Sequence, residues 1–117
     1  MKFVVLLMAD GAEQPWDQLT PDERGVIMEK FSAFDDACAA AEGVSILAGE
    51  ALEEGDSART VRTRGGQQTV TDGPFAEAVE QLGGFFLIET PDLPTLLELL
   101  SVLPAYDMQV NPVIEGM

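Results

Sequence analysis

Histidine is absent from this sequence of 117 residues, and cysteine occurs only at Cys38. Without an imidazole the chain cannot build a Ser-His-Asp triad, a Cys-His dyad or a histidine metal site from its own residues. A single cysteine cannot form an intrachain disulfide, which is typical of proteins in a reducing cytosol. The sequence therefore predicts a cytoplasmic protein whose own side chains supply no imidazole chemistry.

Basic residues are scarce as well. Six Lys and Arg stand against 21 Asp and Glu, which gives a formal net charge of −15. Nucleic-acid affinity depends on neutralising phosphates, and anionic membrane surfaces repel an acidic chain. We therefore expect neither a nucleic-acid partner nor a membrane partner.

Long apolar runs are also missing, since a bilayer span needs about 20 consecutive apolar residues. The run 3–9 is at the short end of the range for a signal peptide, and Asp10 and Glu13 follow it without a small-residue cleavage pattern. We interpret this run as a buried strand. Hydrophobic residues make up 46% of the chain, and this length predicts one globular domain over 1–117.

The segment Thr20-Pro21-Asp22-Glu23 is typical of a helix start. Thr can cap the helix, Pro suits its first position, and Glu completes a capping box. The helix is predicted to continue to about residue 42. One apolar face is expected along it, formed by Ile27, Phe31, Phe34, Cys38 and Ala41.

The remaining chain predicts strands with one further long helix. Gly65-Gly66 indicates a tight hairpin between strands 59–64 and 67–71. The other predicted strands are 44–52, 83–89 and 107–114, and the predicted helices are a short one at 76–81 and a longer one at 91–103.

This element order predicts a ferredoxin-like α+β fold, with two helices on one face of an antiparallel sheet. Strands 2–8 and 85–88 are apolar at odd and even positions alike, whereas a strand with one wet face alternates. Another surface must therefore pack on the second face of the sheet. We predict a homodimer in which the sheet of a second subunit closes a dimeric α/β barrel.

Two carboxylates are candidate catalytic groups. Asp72 can act as a general base if burial raises its pKa, or it can serve only the Asp-Gly-Pro turn. Glu50 interrupts an apolar strand and is either functional, paired with an arginine, or exposed to water. Together they suggest an acid–base pair or an oxygen-ligand metal site, but no calcium-type loop is present. Neither a metal nor another cofactor is predicted.

Three further residues are candidate substrate contacts: Trp16, Arg59 and Phe75. Trp16 lies in an acidic loop, where it can line a cleft or cover one end of the barrel. Arg59, Arg62 and Arg64 are expected to form one row on a strand. That row can bind an anion or protect an edge strand from aggregation. Cys38 is expected to be buried and unreactive.

Several segments together resemble the DGPF-type branch of the YCII-related domain family. They are Leu47-Ala48-Gly49-Glu50-Ala51-Leu52, Thr71-Asp72-Gly73-Pro74-Phe75, Glu77, Glu80 and Leu82-Gly83-Gly84-Phe85. The resemblance covers nearly the whole chain. It implies a ferredoxin-like fold in a dimeric α/β barrel, and a bacterial cytoplasmic protein often encoded beside sigma-factor-like regulators.

The resemblance also implies a candidate active site, a His-Asp pair in a cleft, and a few members look like lyase or dehalogenase-type enzymes. Members similar to this chain carry that His on the long helix, where this sequence has Phe31. Asp72 remains without its imidazole partner.

Two functional hypotheses follow. The first is a protein that binds or transforms a small molecule, in lyase or hydrolase fashion, at a barrel-end cleft near Asp72 and Glu50. The second is a non-catalytic module that contacts a protein partner in sigma-factor circuitry. An exposed apolar patch around Leu99 and Val102 would favour the second hypothesis.

Overall fold

The computed structural model describes residues 1–9, 16–53, 55–75 and 81–116. Its two helices and six strands follow the predicted order. The elements are β1 (Lys2–Ala9), α1 (Pro21–Ala40), β2 (Ser45–Ala51), β3 (Arg59–Arg64), β4 (Gln67–Asp72), β5 (Gln81–Glu89), α2 (Leu93–Leu100) and β6 (Asp107–Pro112), with 3-10 turns at Trp16–Gln18 and Gly55–Ser57.

Four strands form one antiparallel sheet in the order β2-β5-β1-β6, while β3 and β4 pair separately as a hairpin. The two βαβ units thus interleave their strands, and the hairpin is inserted between β2 and β5. This is the predicted ferredoxin-like α+β architecture, which is confirmed for the sheet and the two helices.

The core lies between the helices and one face of the sheet. On β1, Phe3, Val5 and Leu7 are buried on that face. Side chains from both helices pack in the same cluster, including Phe34 of α1 and Leu96 of α2, which are fully buried. Burial of this shared apolar surface holds the two layers together.

The opposite face of the sheet, here called the open face, is also apolar along its two central strands. It carries Val4 and Leu6 of β1, and Phe85 and Leu87 of β5, all of them half-buried. Neither helix packs on this face, because both contribute to the core on the other side. The strands fail to alternate between apolar and polar residues, as the sequence indicated.

The predicted capping box starts α1. The Glu23 N–H donates to Thr20 Oγ1 at 3.1 Å, and the Thr20 N–H donates to Glu23 Oε1 at 2.9 Å. The helix ends at Ala40, slightly earlier than predicted, because Ala41 is already extended. Gly43 then turns the chain with φ of +77°, a conformation that suits glycine.

Several predicted boundaries differ from the structure by a few residues. Helix α2 begins at Leu93 and ends at Leu100, so it is shorter than 91–103. Strand β6 ends at Pro112, two residues before the predicted end, although the Val113 N–H still donates to the Lys2 carbonyl at 2.9 Å. The predicted short helix at 76–81 lies outside the described residues except for Gln81, which begins β5.

The hairpin forms as predicted, with Gly65 and Gly66 at φ of +57° and +81°. Regular alternation along β3 places Arg62 and Arg64 on one face and Arg59 on the other. The expected single row of three arginines was therefore wrong, because side chains share a strand face only at even spacing.

Asp92 caps α2, and protonation of its carboxylate at acid pH should lower the stability of the protein. Hydrogen bonds from the Thr95 hydroxyl and from its backbone N–H, at 2.8 Å, lower the pKa of Asp92 below its ordinary value of 3.8. This contribution is fully present above pH 3.8 and is lost as the pH falls through the lowered folded-state pKa.

Asp92→Asn keeps a cap that does not titrate. We expect the stability of the wild type, measured by urea unfolding, to fall relative to that of Asp92→Asn only below pH 3.8. Parallel pH curves for the two proteins would contradict the assignment.

Candidate functional site

A pocket of about 600 Å³ opens between α1 and one end of the four-stranded sheet. Most of its lining side chains are aliphatic or aromatic. The lining residues are Leu7, Met8, Trp16, Ile27, Met28, Phe31, Gly49, Glu50, Ala51, Gly83, Gly84, Phe85, Phe86 and Tyr106. Such a surface favours an apolar guest over water.

Small residues line the pocket on its sheet side. Ala51 of β2 lies directly opposite Gly84 of β5, and Gly84 in turn lies opposite Leu7 of β1. A Cβ at Gly84 would lie 3.0 Å from the Glu50 carbonyl oxygen, so the pairing of β2 with β5 leaves little room for a side chain there. Ala51 and Gly84 therefore present little side-chain bulk to the pocket.

Aromatic rings form the inner wall. Phe31 of α1 packs against Tyr106, with 6.2 Å between ring centroids, and Phe86 packs against the buried Phe34 at 5.2 Å. Gly49 lies opposite Phe86, whose Cδ1 would be only 2.6 Å from a Cβ at that position. The absence of a side chain at Gly49 therefore allows the position of the Phe86 ring.

Trp16, a candidate substrate contact from the sequence, borders the pocket and is 48% exposed. The backbone carbonyl of Trp16 accepts hydrogen bonds from Arg24 Nε at 3.0 Å and from the Leu19 N–H at 3.2 Å. The Arg24 guanidinium also lies 5.4 Å from the centre of the indole ring, a favourable cation–π distance. The first turns of α1 thus fix this residue.

Glu50 is the only lining residue whose side chain carries a charge among those that the structure describes. In the ladder it lies opposite Phe85 of β5, one position away from Ala51 and Gly84. Alternation along β2 therefore directs the Glu50 side chain to the open face and brings its main chain to the pocket. Its predicted catalytic role stays a prediction.

The other three candidates lie together on the hairpin, away from the pocket lining. Asp72 lies opposite Arg59, and Arg59 Nε is 3.2 Å from Asp72 Oδ1. This ion pair is exposed and of modest energy, since Asp72 has 90% of its side-chain surface in contact with solvent. Phe75 lies beneath the guanidinium of Arg62, 4.8 Å from the ring centre.

Asp72 and Glu50 belong to different sheets, and within the described residues they share neither a hydrogen bond nor a bound partner. The turn after Asp72 is held by the Gly73 N–H donating to the Ala58 carbonyl and by Thr60 Oγ1 donating to the Gly73 carbonyl, both at 2.7 Å. Neither bond involves the Asp72 carboxylate, so both interpretations of Asp72 and the two-carboxylate site stay predictions.

Sequence reasoning missed three parts of the site: the small residues of β2 and β5, Arg24 and Tyr106. The small residues of β2 and β5 had a visible signal, because Gly49 and Gly84 interrupt apolar strands. Arg24 also had one, because it precedes Ile27 and Met28 at helical spacing. Tyr106 had no such signal, since only the packed fold brings it beside Phe31.

Cys38 lies in the core between α1 and the sheet and is 2% exposed, as predicted. Burial, with a smaller effect from the charge of Asp35, raises the pKa of its thiol. The thiolate fraction is reduced and the sulfur is shielded from solvent, and both effects make this cysteine a poor nucleophile.

Neither a metal cluster nor a membrane-spanning helix is found where the structure describes the chain. Its Cys, Asp and Glu side chains form no group of three or more that could hold a metal ion. No helix is both long enough and apolar enough to cross a bilayer.

Two comparisons relate the chain to known proteins. A protein of Rhizobium meliloti (strain 1021), described as uncharacterised, is 48% identical over 42 residues, which are 36% of this chain. The match spans 34% of the length of that relative. The model of the YCII-related domain matches residues 1–115, almost the full length. The chain therefore belongs to the YCII-related domain family.

Proposed function

We propose that the protein binds a small, predominantly apolar molecule in the pocket between α1 and the sheet. The observation that carries this proposal is the pocket itself, about 600 Å³ in volume and bounded mostly by apolar side chains. Ligand sites in proteins commonly span about 300 to 1,000 Å³ and combine apolar walls with a few polar groups.

Binding is favoured over proton-transfer chemistry by the identity of the wall residues. Phe31 stands where members similar to this chain carry a histidine, and it packs against Tyr106. The Glu50 side chain is directed to the other face of the sheet, and Asp72 is paired with Arg59 on the hairpin. A lyase- or hydrolase-like reaction that uses both carboxylates would require Asp72 and Glu50 to lie close enough to contact one substrate molecule.

The regulatory hypothesis receives less support. It would be favoured by an exposed apolar patch around Leu99 and Val102. Both residues are instead half-buried and pack against the core. We therefore retain small-molecule binding as the proposed function.

We further propose that two copies pair through their open faces. The chain is flat, with extents of 48 × 44 × 18 Å, as expected for one sheet and one helix layer. Its accessible surface is 8155 Å². A compact monomer of this mass exposes about 6,200 Å². The excess, about 2,000 Å² for each chain, is within the range that obligate homodimers bury.

Titration with an apolar probe tests the binding proposal. Trp16 is the only tryptophan and borders the pocket, so its fluorescence reports occupancy directly. We expect uncharged phenylpropanol to change this emission saturably, with one site per chain. Ala51→Leu puts extra carbon atoms into the pocket and should weaken binding at least about tenfold, or about 1.4 kcal/mol.

Ala39→Leu is the matched control, because Ala39 is exposed on α1 and does not line the pocket. It should bind phenylpropanol as the wild type does. Melting temperatures of both variants show whether they are folded. A linear, non-saturating response, or equal effects of the two substitutions, would contradict the proposal.

A further inference from the structure

We infer that the preferred ligand is an apolar carboxylate whose acid group binds Arg24 at the mouth of the pocket. This inference rests on the proposed function and specifies its ligand class. It follows from the position of Arg24, from the donors that its guanidinium leaves for a ligand, and from the sign of its charge.

Arg24 continues the helix face that lines the pocket. Ile27, Met28 and Phe31 border the cavity, and Arg24 precedes them by three, four and seven residues. Residues at these spacings share one face of an α-helix. Arg24 therefore lies at the N-terminal end of the lining stripe, beside Trp16, where the apolar wall meets solvent.

The contacts of Arg24 hold its guanidinium in place without using all of its donors. Its hydrogen bond within the described residues uses Nε, which donates to the Trp16 carbonyl at 3.0 Å. The indole ring of Trp16 lies against the guanidinium at 5.4 Å. The N–H groups of Nη1 and Nη2 are suited to a carboxylate, which can accept two parallel hydrogen bonds from an arginine.

The net charge of the whole chain opposes the binding of an acid, so a measured preference for the acid would be informative. A net charge of −15 attracts cations and repels anions at long range. Without a local contact, an apolar amine should bind better than an apolar acid of the same shape. Preference for the acid would therefore have to come from a short-range cation near the pocket. Arg24 contacts Trp16, which lines the pocket, and is therefore placed to supply that charge.

Three probes of similar shape test the inference: phenylpropanoate, phenylpropanol and phenylpropylamine. We expect the acid to bind at least about tenfold more tightly than the alcohol, and the amine to bind no better than the alcohol. Arg24→Gln should remove the advantage of the acid, measured as the ratio of acid to alcohol affinity within the variant, because any shift of Trp16 affects both probes alike. Calorimetry gives the affinities independently of Trp16 emission, which the substitution itself can alter.

Arg62→Gln is the matched control, since Arg62 also lies over an aromatic ring, that of Phe75, but this ring does not line the pocket, whereas the Trp16 ring does. It should keep the preference for the acid. Equal binding of acid and alcohol, tightest binding of the amine, or an unchanged preference in Arg24→Gln overturns the carboxylate inference alone. Failure of all three probes to bind overturns the proposed function with it.

Discussion

Leu6→Arg should convert the proposed dimer into monomers. Leu6 lies at the centre of the open face, between Phe85 of β5 and Gln109 of β6. Pairing two sheets through this face would bury one new charge from each copy, and within each copy the Glu50 carboxylate on the same face lies two strands away, about 10 Å. An unpaired buried charge costs several kcal/mol, which is enough to prevent association at micromolar concentration.

Sedimentation equilibrium at micromolar protein distinguishes the two states. We expect the wild type to show twice the chain mass of 12.6 kDa and Leu6→Arg to show the mass of a single chain. Leu97→Arg is the matched control, because Leu97 lies on α2 and is 50% exposed. It should remain dimeric. A monomeric wild type would refute the dimer proposal without any variant.

Gly49→Ala should destabilise the protein by about 1 to 3 kcal/mol, the usual cost of overpacking a core. The new Cβ would be 2.6 Å from Phe86 Cδ1 and 2.9 Å from its Cε1, so the ring has to move. It cannot move freely, since Phe34 packs against it at 5.2 Å and is itself fully buried. The displaced ring should also change the pocket wall.

The control is the same substitution at Gly25, which lies in α1 with nothing within 4 Å of an added Cβ. Gly25→Ala should stabilise the protein by about 0.5 to 1 kcal/mol, because alanine favours the helix and lowers the entropy of the unfolded chain. Urea unfolding at one protein concentration measures both. Changes of the same sign would show that the contact with Phe86 does not control the effect at Gly49.

Local sequence signals predicted the structure correctly where a residue interacts with its neighbours along the chain. Thr20 and Glu23 indicated the start of α1, because a capping box involves residues only three positions apart. Gly65 and Gly66 indicated the hairpin, since both take positive φ. The predicted row of three arginines was wrong for an equally local reason, because Arg59 and Arg62 are three residues apart and therefore lie on opposite faces of β3.

The candidate site was harder to derive, because its parts come from distant segments. Trp16 borders the pocket, and its role as a substrate contact stays a prediction. Nothing in the sequence placed Tyr106 against Phe31, and nothing distinguished which face of β2 would receive the Glu50 side chain. A bulge between Ile46 and Ala48 sets that face, and a bulge forms only when the strands pair.

The order of the elements, the acidic charge, the absence of imidazole chemistry and the apolar character of both sheet faces all follow from the amino-acid sequence. These properties depend on composition and on short-range periodicity, which every chain carries before it folds. The pocket beside α1, and the placement of Asp72 and Glu50 in separate sheets, follow from the folded arrangement instead. Those outcomes depend on strand register, which fixes the neighbours of each side chain through pairings between segments far apart in the chain.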